Sequence, residues 1–534
     1  MAKKATKAVK SFEESLWDSA NKLRGSVESS EYKHIVLSLI FLKFISDKFE
    51  EQRQKLIDDG KEPFIDMVEF YTQDNVFYLP EEARWSAVIK QAKQDDIALK
   101  IDTALHTVDK NNKALAGALP DNYFSRLGLE ANKLAALLDT INNIDTLANE
   151  CHMSEEDLVG RVYEYFLGKF AASEGKGGGE FYTPKSVVSL LAEMLEPFEG
   201  KIYDPCCGSG GMFVQSIKFV NSHNGNQKNI SIYGQEYTST TYKLAKMNLA
   251  IRGINGNLGD VAGDSFFKDQ HPDLKADYIM ANPPFNQKQW RADSELTDDP
   301  RWSGYTVPPT GNANYAWILH MLSKLSESGT AGFVLANGSM SSNTSGEGTI
   351  RKEIIENDHV DCMIALPGQL FYTTQIPVCL WFLTKNKKAD SKRGYRDRQG
   401  ETLFIDARQM GQMASRIHKE LTTEDIAKIA QTYHAWRDAQ DSASAGNAGA
   451  VSGRGEPYED VAGYSKSASL EDIKKNDYVL TPGRYVGAAE IEDDGVPFEV
   501  KMKELSQRLY VQMEEAKTLD DAIRKNLEVL GYGK

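Results

Sequence analysis

The sequence predicts an α/β protein in which helices cover both faces of a mostly parallel sheet, with an α-helical N-terminal domain before it and a helical C-terminal tail after it. Three observations carry this. Short apolar runs of strand length (KIY, SIYGQ, ADYIMA, TAGFVLA, VDCMIAL, IPVCLWFLT) alternate with helical patterns such as GMFVQSIKFVN, TSTTYKLAKMNLAI and NYAWILHMLSKLSES. Such alternation builds a parallel sheet. Residues 11–172 instead repeat apolar positions every three or four residues, the helical period. Near the end, Phe498, Met502, Leu505, Leu509, Met513, Leu519, Ile523, Leu527 and Leu530 fall on one side of a long helix, a seam suited to a partner helix.

Taken in order, residues 1–172 form the helical domain, with helices over SFEESLWDSANKLRGSV, SEYKHIVLSLIFLKFISDKFEEQRQKL, NKLAALLDTINNID and SEEDLVGRVYEYFLGKFAAS. Ser154 and Asp157 open the last of these with a capping signal. Residues 58–97 carry no clear period. The sheet domain runs over 173–439, beginning at the glycine-rich GKGGG and a helix that starts at Pro184, where a missing N–H is harmless. The closely spaced runs at 360–384 suggest an antiparallel pair at one side of the sheet. KNKKADSKRGYRDR (385–398) is a basic stretch, either a solvated loop or a contact for DNA backbone. Residues 440–456 are a Ser/Gly/Ala linker, and 457–534 form the tail with its amphipathic helix.

Composition narrows the class. A chain of 534 residues with 41% hydrophobic and 26% charged residues is an ordinary globular protein of two or three domains. The longest apolar run, IVLSLIFLKFI, is short for a membrane span and is interrupted by Lys43. The basic start has no apolar segment behind it, so a cytoplasmic protein is expected. Five cysteines without a CxxC or Cys/His cluster suit a reducing compartment, with no disulfide framework and no metal site. The formal net charge of −15 is the wrong sign for a chain that grips nucleic acid unaided.

The chemistry centres on Asn282-Pro283-Pro284-Phe285, directly after ADYIMA. Open α/β sheets bind ligands at the carboxyl ends of their strands, where this motif falls. The Asn282 side-chain oxygen and the Pro283 carbonyl can both accept from an exocyclic NH2 group. Two such acceptors favour the pyramidal amine of a nucleophile and stabilise its charge as a methyl group arrives. The prolines fix the backbone, and Phe285 offers a face for a flat ring. A base in a duplex must be flipped out to reach such a site. Alone, Asn-Pro-Pro is equally a turn that ends a strand.

Its neighbours decide between the two. Asp204-Pro-Cys-Cys-Gly208-Ser209-Gly210-Gly211 lies between a strand and a helix, and its glycines allow a tight turn and close approach of a ligand. The loop lacks the GK[ST] of a phosphate-binding loop. Asp204 suits an amino-acid ammonium, Glu236 at the end of the next strand suits ribose hydroxyls, and Asp264 suits an adenine amino group with Phe266 or Phe267 beside the ring. Each acid is otherwise a helix cap or a surface carboxylate. In series they describe a nucleoside cofactor beside a flipped base.

This ordered set resembles class I S-adenosylmethionine-dependent methyltransferases of the amino-DNA type. In detail it resembles the modification subunits of type I restriction–modification systems, which are N6-adenine methyltransferases. The resemblance spans most of the chain and rests on GEFYTPK (179–185), DPCCGSGGM (204–212), YGQE (233–236) and NPPF (282–285). It implies a seven-stranded, mostly parallel sheet with one antiparallel strand. It implies S-adenosyl-L-methionine contacts from Glu180, Phe181, Tyr182, Thr183, Pro184 and Lys185, from Ser209, Gly210 and Gly211, and from Glu236 to the ribose. Cys206-Cys207 stands where small or apolar residues are common, a mild departure. No target-recognition unit follows the sheet, and the resemblance implies a separate specificity subunit, two modification subunits for each one, and a restriction subunit for cleavage. Borrowed DNA grip is consistent with the acidic chain. N4-cytosine, a protein glutamine amide, or a non-catalytic scaffold role in a DNA complex stay open as alternatives.

Overall fold

The protein is described by a computed structural model over residues 17, 29–74, 76–143, 165, 183–371, 375–415, 418–439, 457–488 and 498–529. It comprises two compact units, Met1–Gly487 and Ala488–Lys534. The expected helices over 11–27 and 154–173, with the cap at Ser154, and the 440–456 linker lie outside the described residues, apart from Trp17 and Tyr165.

In the helical domain, α1 (Ser29–Asp58) carries the apolar run of the sequence. Ile35, Val36, Leu37, Leu39, Ile40, Phe41 and Leu42 are all buried, so this part of the helix is surrounded by protein on every side, whereas Glu51, Gln54 and Lys55 near its end are exposed. It packs with α2 (Ile97–Asn111) and α3 (Ala131–Asn142) in one core. The illegible stretch 58–97 is a chain of single helical turns, 62–64, 69–72, 81–83 and 85–90. Side chains from elsewhere hold the domain's irregular parts. Asn112 bonds both the N–H and the carbonyl of Tyr78. The buried Asp102 carboxylate accepts from the amides of Tyr123, Phe124 and Ser125.

The sheet follows, with α4 (Lys185–Leu195), β1 (Gly200–Asp204), α5 (Gly211–Ser222), β2 (Ile230–Gly234), α6 (Ser239–Ile251), β3 (Gly256–Asn257), β4 (Ala276–Ala281), α7 (Asn314–Lys324), β5 (Leu325–Ala336), α8 (Glu347–Glu356), β6 (Val360–Ala365) and β7 (Val378–Thr384). Beyond these come β8 (Glu401–Asp406), a small hairpin β9 (Gln412–Met413) and β10 (Lys419–Glu420), α9 (Thr423–Arg437), β11 (Ser465–Ser469) and α10 (Leu470–Lys475). The strand order is β11-β8-β6-β7-β5-β4-β1-β2-β3. β1, β2, β3, β4 and β5 run parallel to their neighbours among themselves, and β7 lies antiparallel between β5 and β6. Every residue of β7 is buried, as the centre of a sheet covered on both faces requires.

The expected sheet of seven strands with one antiparallel needs correction. Among the described residues it has nine, and a second antiparallel strand, β11, closes the edge. β8 pairs parallel to β6 and covers what would otherwise be an open edge, and an unpaired edge is a template for aggregation. The tail assignment at 457 shifts for the same reason. Residues 457–487 belong to the sheet unit: β11 is paired along its whole length, Leu480 is buried, and the Tyr485 ring stacks on Phe404 at 3.8 Å between centroids.

The basic stretch 385–398 is largely consumed inside the protein. Lys387 and Arg398 are buried, the first on Asp358 and the second on Asp361. Arg396 bonds Glu401 and the Trp436 carbonyl, and Arg393 bonds Ser328. The charges serve the junction of β6, β8 and α9, and the reading as a DNA contact loses most of its cations.

In the second unit, α11 (Phe498–Val529) is a single long helix. Its Met502, Leu505, Leu509, Met513, Leu519, Ile523 and Leu527 are all exposed. Among the described residues no helix is long and apolar enough to cross a membrane.

Candidate active site

Asp204 ends β1 and is 1% exposed. Its carboxylate accepts from the Cys206 amide at 3.0 Å, which folds the chain into a turn. The register Asp204–Gly234 brings the end of β2 alongside. There Gln235 N–H donates to the Asp204 carbonyl, and Cys207 N–H to the Gln235 carbonyl. Glu236 fastens the glycine loop from the other side, accepting from Gly208 N–H at 3.0 Å and from Thr238 N–H at 2.7 Å. The Gln235 side chain, fully buried, bonds the carbonyls of Gly263 and Lys268 and so ties the loop after β3 to the same edge.

Gly208 and Gly210 have φ of +54° and +80°, a region open to glycine at little cost. A Cβ at Gly211 would meet nothing within 4 Å. Gly210 caps α5, so the free amides of that helix end face an open cradle. Burial pushes the Asp204 carboxyl up to about 7, aided by the charge of Glu236, against the hydrogen bond from Cys206.

Asn282 follows the last residue of β4. Its Nδ2 donates to the Thr183 hydroxyl at 2.9 Å. Its Oδ1 is buried and has no partner among the described residues. An unpaired buried acceptor costs roughly 1–3 kcal/mol, so the structure holds this oxygen ready for a donor. Phe285 is half-buried, with Phe371 edge-on at 5.7 Å. Beyond it the chain is locked by a pair of amides: Asn314 accepts from the Asn286 N–H and donates to the Asn286 side chain. The Ala313 N–H adds a bond to the Gln287 carbonyl.

Thr183, Lys185, Asp204, Gly208, Ser209, Gly211 and Asn282 together line one solvent-open cleft. Pro184 stands at the start of α4 and Gly210 at the start of α5, while Glu236 backs the cleft through Gly208. Glu180, Phe181 and Tyr182 lie outside the described residues. Of the two aromatics beside Asp264, one belongs to the core. Asp264 accepts from the Phe266 amide at 2.8 Å. Phe266 is 3% exposed, packed against Trp290 and Trp317, and cannot flank a ligand, whereas Phe267 is exposed. Met212, the end of the DPCCGSGGM stretch, also lines the cleft, as do Val188, Val214, Gln215 and Asn248, which the sequence does not single out. Cys206 and Cys207 are free thiols in its wall, and burial pushes both far above the usual thiol range.

The model of the N-6 DNA methylase family matches residues 154–494. The chain belongs to that family. The model of the HsdM N-terminal domain matches residues 12–143. The chain is 48% identical over 471 residues to the methylase subunit of the type I restriction enzyme HindI of Haemophilus influenzae, covering 85% of this chain and 100% of the relative. It is 38% identical over 540 residues to the MjaIX methylase subunit of Methanocaldococcus jannaschii, covering 98% and 92%. The crystal structure of a type I restriction–modification methyltransferase subunit from Streptococcus thermophilus shares the fold with a TM-score of 0.71 at 23% identity, covering 89% of this chain and 99% of that one. This chain is thus a type I modification subunit, and its activity is N6-adenine DNA methylation. Membership implies use of S-adenosylmethionine. The residues fit such a group: an open glycine cradle, a buried acid at one end and an unpaired amide oxygen at the other.

Proposed function

We propose that the cleft binds S-adenosyl-L-methionine and that Asn282 and the Pro283 carbonyl hold the N6 amine of a flipped-out adenine beside it. The observation that carries this is the Oδ1 of Asn282, buried in the wall of the glycine cradle with no partner among the described residues. Asp204 receives the ammonium of the amino-acid part, Gly208, Ser209, Gly210 and Gly211 approach the cofactor with backbone, and Glu236 takes the ribose hydroxyls. Asp264 takes the adenine amino group, Thr183, Pro184 and Lys185 contact the cofactor, a role the family resemblance extends to Glu180, Phe181 and Tyr182, and Phe285 offers its face to the target base. When bound, the cofactor supplies a methyl group on a sulfonium, already an activated leaving group. The residues themselves position and stabilise: two acceptors hold the amine pyramidal and shield the charge it gains. Pro284 keeps the Pro283 carbonyl in place.

We further propose that the chain works in the cytoplasm with two modification subunits per specificity subunit, a restriction subunit joining for cleavage, and DNA sequence read by the specificity subunit. The exposed apolar seam of α11 supports a helical partner there. A chain ending at Gly487 should lose association with a co-expressed specificity subunit on size-exclusion chromatography. Its affinity for S-adenosylmethionine should stay within about twofold of the full chain, since the cleft is intact. Retained association would remove α11 from the interface.

Methyl transfer from labelled S-adenosylmethionine to DNA, with the chain alone and with its specificity subunit, tests the reaction. Label on adenine N6 only in the complex is the expected result. Label from the chain alone would place recognition in this chain.

The Asp204 assignment carries a pH signature. Its folded value of about 7 lies above the usual 3.8. Between those values the folded chain keeps a proton that the unfolded chain has lost. The unliganded protein therefore loses stability from this group as pH rises toward 7. A cationic ammonium reverses the preference, so cofactor binding at about pH 6.5 should release a proton. Calorimetry in buffers of different ionisation enthalpy should detect that release in the wild type and miss it in Asp204→Asn.

A further inference from the structure

The helix α6 is shared between the two halves of the first unit. Leu244, Met247 and Ile251 are buried in the core of the helical domain, together with residues such as Leu105 and Leu115. Tyr242, Ala245 and Leu249 are buried on the sheet side, with Ile202 and Phe213. Two lysines fasten the helical-domain face: Lys243 donates to the Leu119 carbonyl at 3.1 Å and Lys246 to the Ala116 carbonyl at 2.9 Å. The same helix carries Asn248, 3% exposed, which lines the cleft. Its Nδ2 donates to the Ser209 carbonyl at 2.7 Å, and its Oδ1 accepts from the Arg252 guanidinium. Arg252 has only donors to offer, so it fixes which end of the amide faces the glycine loop.

We infer that Asn248 is a positioning residue for the cofactor loop, and that α6 makes the seating of the helical domain an input to cofactor affinity. This rests on the cleft being the S-adenosylmethionine site. The loop around Ser209 contains two residues with positive φ. Its carbonyl at Ser209 is held by a side chain anchored on a helix embedded in both cores, with its other end held by Arg252. Packed helices have discrete arrangements and pass displacement on as bodies. Coupling between two sites is reciprocal. Cofactor binding should therefore steady the Ala116 and Leu119 segment as well.

The decisive variant is Asn248→Asp in the full chain. It is isosteric and gains an ion pair with Arg252, so the fold is kept, but a carboxylate meets the Ser209 carbonyl with an acceptor. S-adenosylmethionine should bind about tenfold or more weakly by calorimetry, the loss expected of one ordered donor. In the complex with the specificity subunit, KM for the cofactor should rise while kcat at saturation holds. Lys243→Met with Lys246→Met, neither of which lines the cleft, should weaken binding about threefold through the seam alone. Hydrogen exchange at 113–119 should slow on cofactor addition in the wild type and not in Asn248→Asp. Wild-type affinity in both variants would overturn the inference and leave the cleft assignment standing. A wild-type chain that binds no S-adenosylmethionine would overturn both.

Discussion

Asn282→Ala in the assembled complex should lower kcat by about 100-fold or more, roughly 3 kcal/mol of transition-state stabilisation, as the loss of a preorganised polar group does. Two features of the structure set that magnitude. The Oδ1 atom is buried with no partner among the described residues, so the incoming amine displaces no described hydrogen bond. The Thr183 hydroxyl holds the other end of the amide, so no reorganisation is required when the base arrives. Cofactor affinity should change far less, within about threefold, because the developing charge on the amine exists only in the transition state. Asn282→Asp keeps an acceptor for the amine, and the Thr183 hydroxyl can turn to donate to its other oxygen; an intermediate rate is expected. Single-turnover methylation of DNA measures both variants. A wild-type rate in Asn282→Ala would remove the residue from the chemistry.

The parts of the site that the sequence made legible are those in which local spacing and strand ends coincide. Asn282 follows an apolar run, Asp204 ends another, and the glycines after it stand where a strand meets a helix. Each is a short-range pattern with a chemical reason. Asn248 is not legible, because it lies in the last turn of an amphipathic helix and its target, the Ser209 carbonyl, is 39 residues away in sequence. Gln235 belongs to a recognised motif, yet its work is done on the carbonyls of Gly263 and Lys268, which no pattern connects to it. Phe266 and Phe267 looked interchangeable as ring-flanking aromatics. Only the packing of Trp290 and Trp317 around the first of them decides that it is core.

The fold divides in the same way. Strands buried on both faces read as continuous apolar runs, so β4, β5, β6 and β7 were plain. β8 has apolar Leu403, Phe404 and Ile405 between polar ends and sits behind a basic stretch, where it reads as part of a loop. β11 is SKSAS, with no apolar side chain larger than alanine. It is a strand because β8 offers it backbone partners at every residue. In the helical domain, 58–97 had no period because side chains such as Asn112 satisfy its backbone in place of regular secondary structure.

The charges of 385–398 support a second large effect, this time on stability. Asp361 on β6 is fully buried and accepts from the Tyr433 hydroxyl at 2.7 Å and the Arg398 guanidinium at 3.3 Å. Burial alone would raise its pKa; the charges of Arg398 and Lys387 outweigh that and hold it below the ordinary carboxylate value. Asp361→Leu would leave the Arg398 cation buried beside an apolar side chain, with a cost of about 3–5 kcal/mol. Lys387 keeps Asp358, so the loss should not double. The depressed pKa means that Asp361 contributes its stability above the unfolded carboxylate value, near 3.8. That contribution fades as pH falls through the lower folded value. Adding Arg398→Met to Asp361→Leu should restore much of the loss, because the penalty belongs to the stranded cation and not to the missing pair. Denaturant midpoints of the four proteins in that cycle give the interaction directly. Additive losses would mean that the two residues stabilise the β6–β8–α9 junction independently and that the ion pair is incidental.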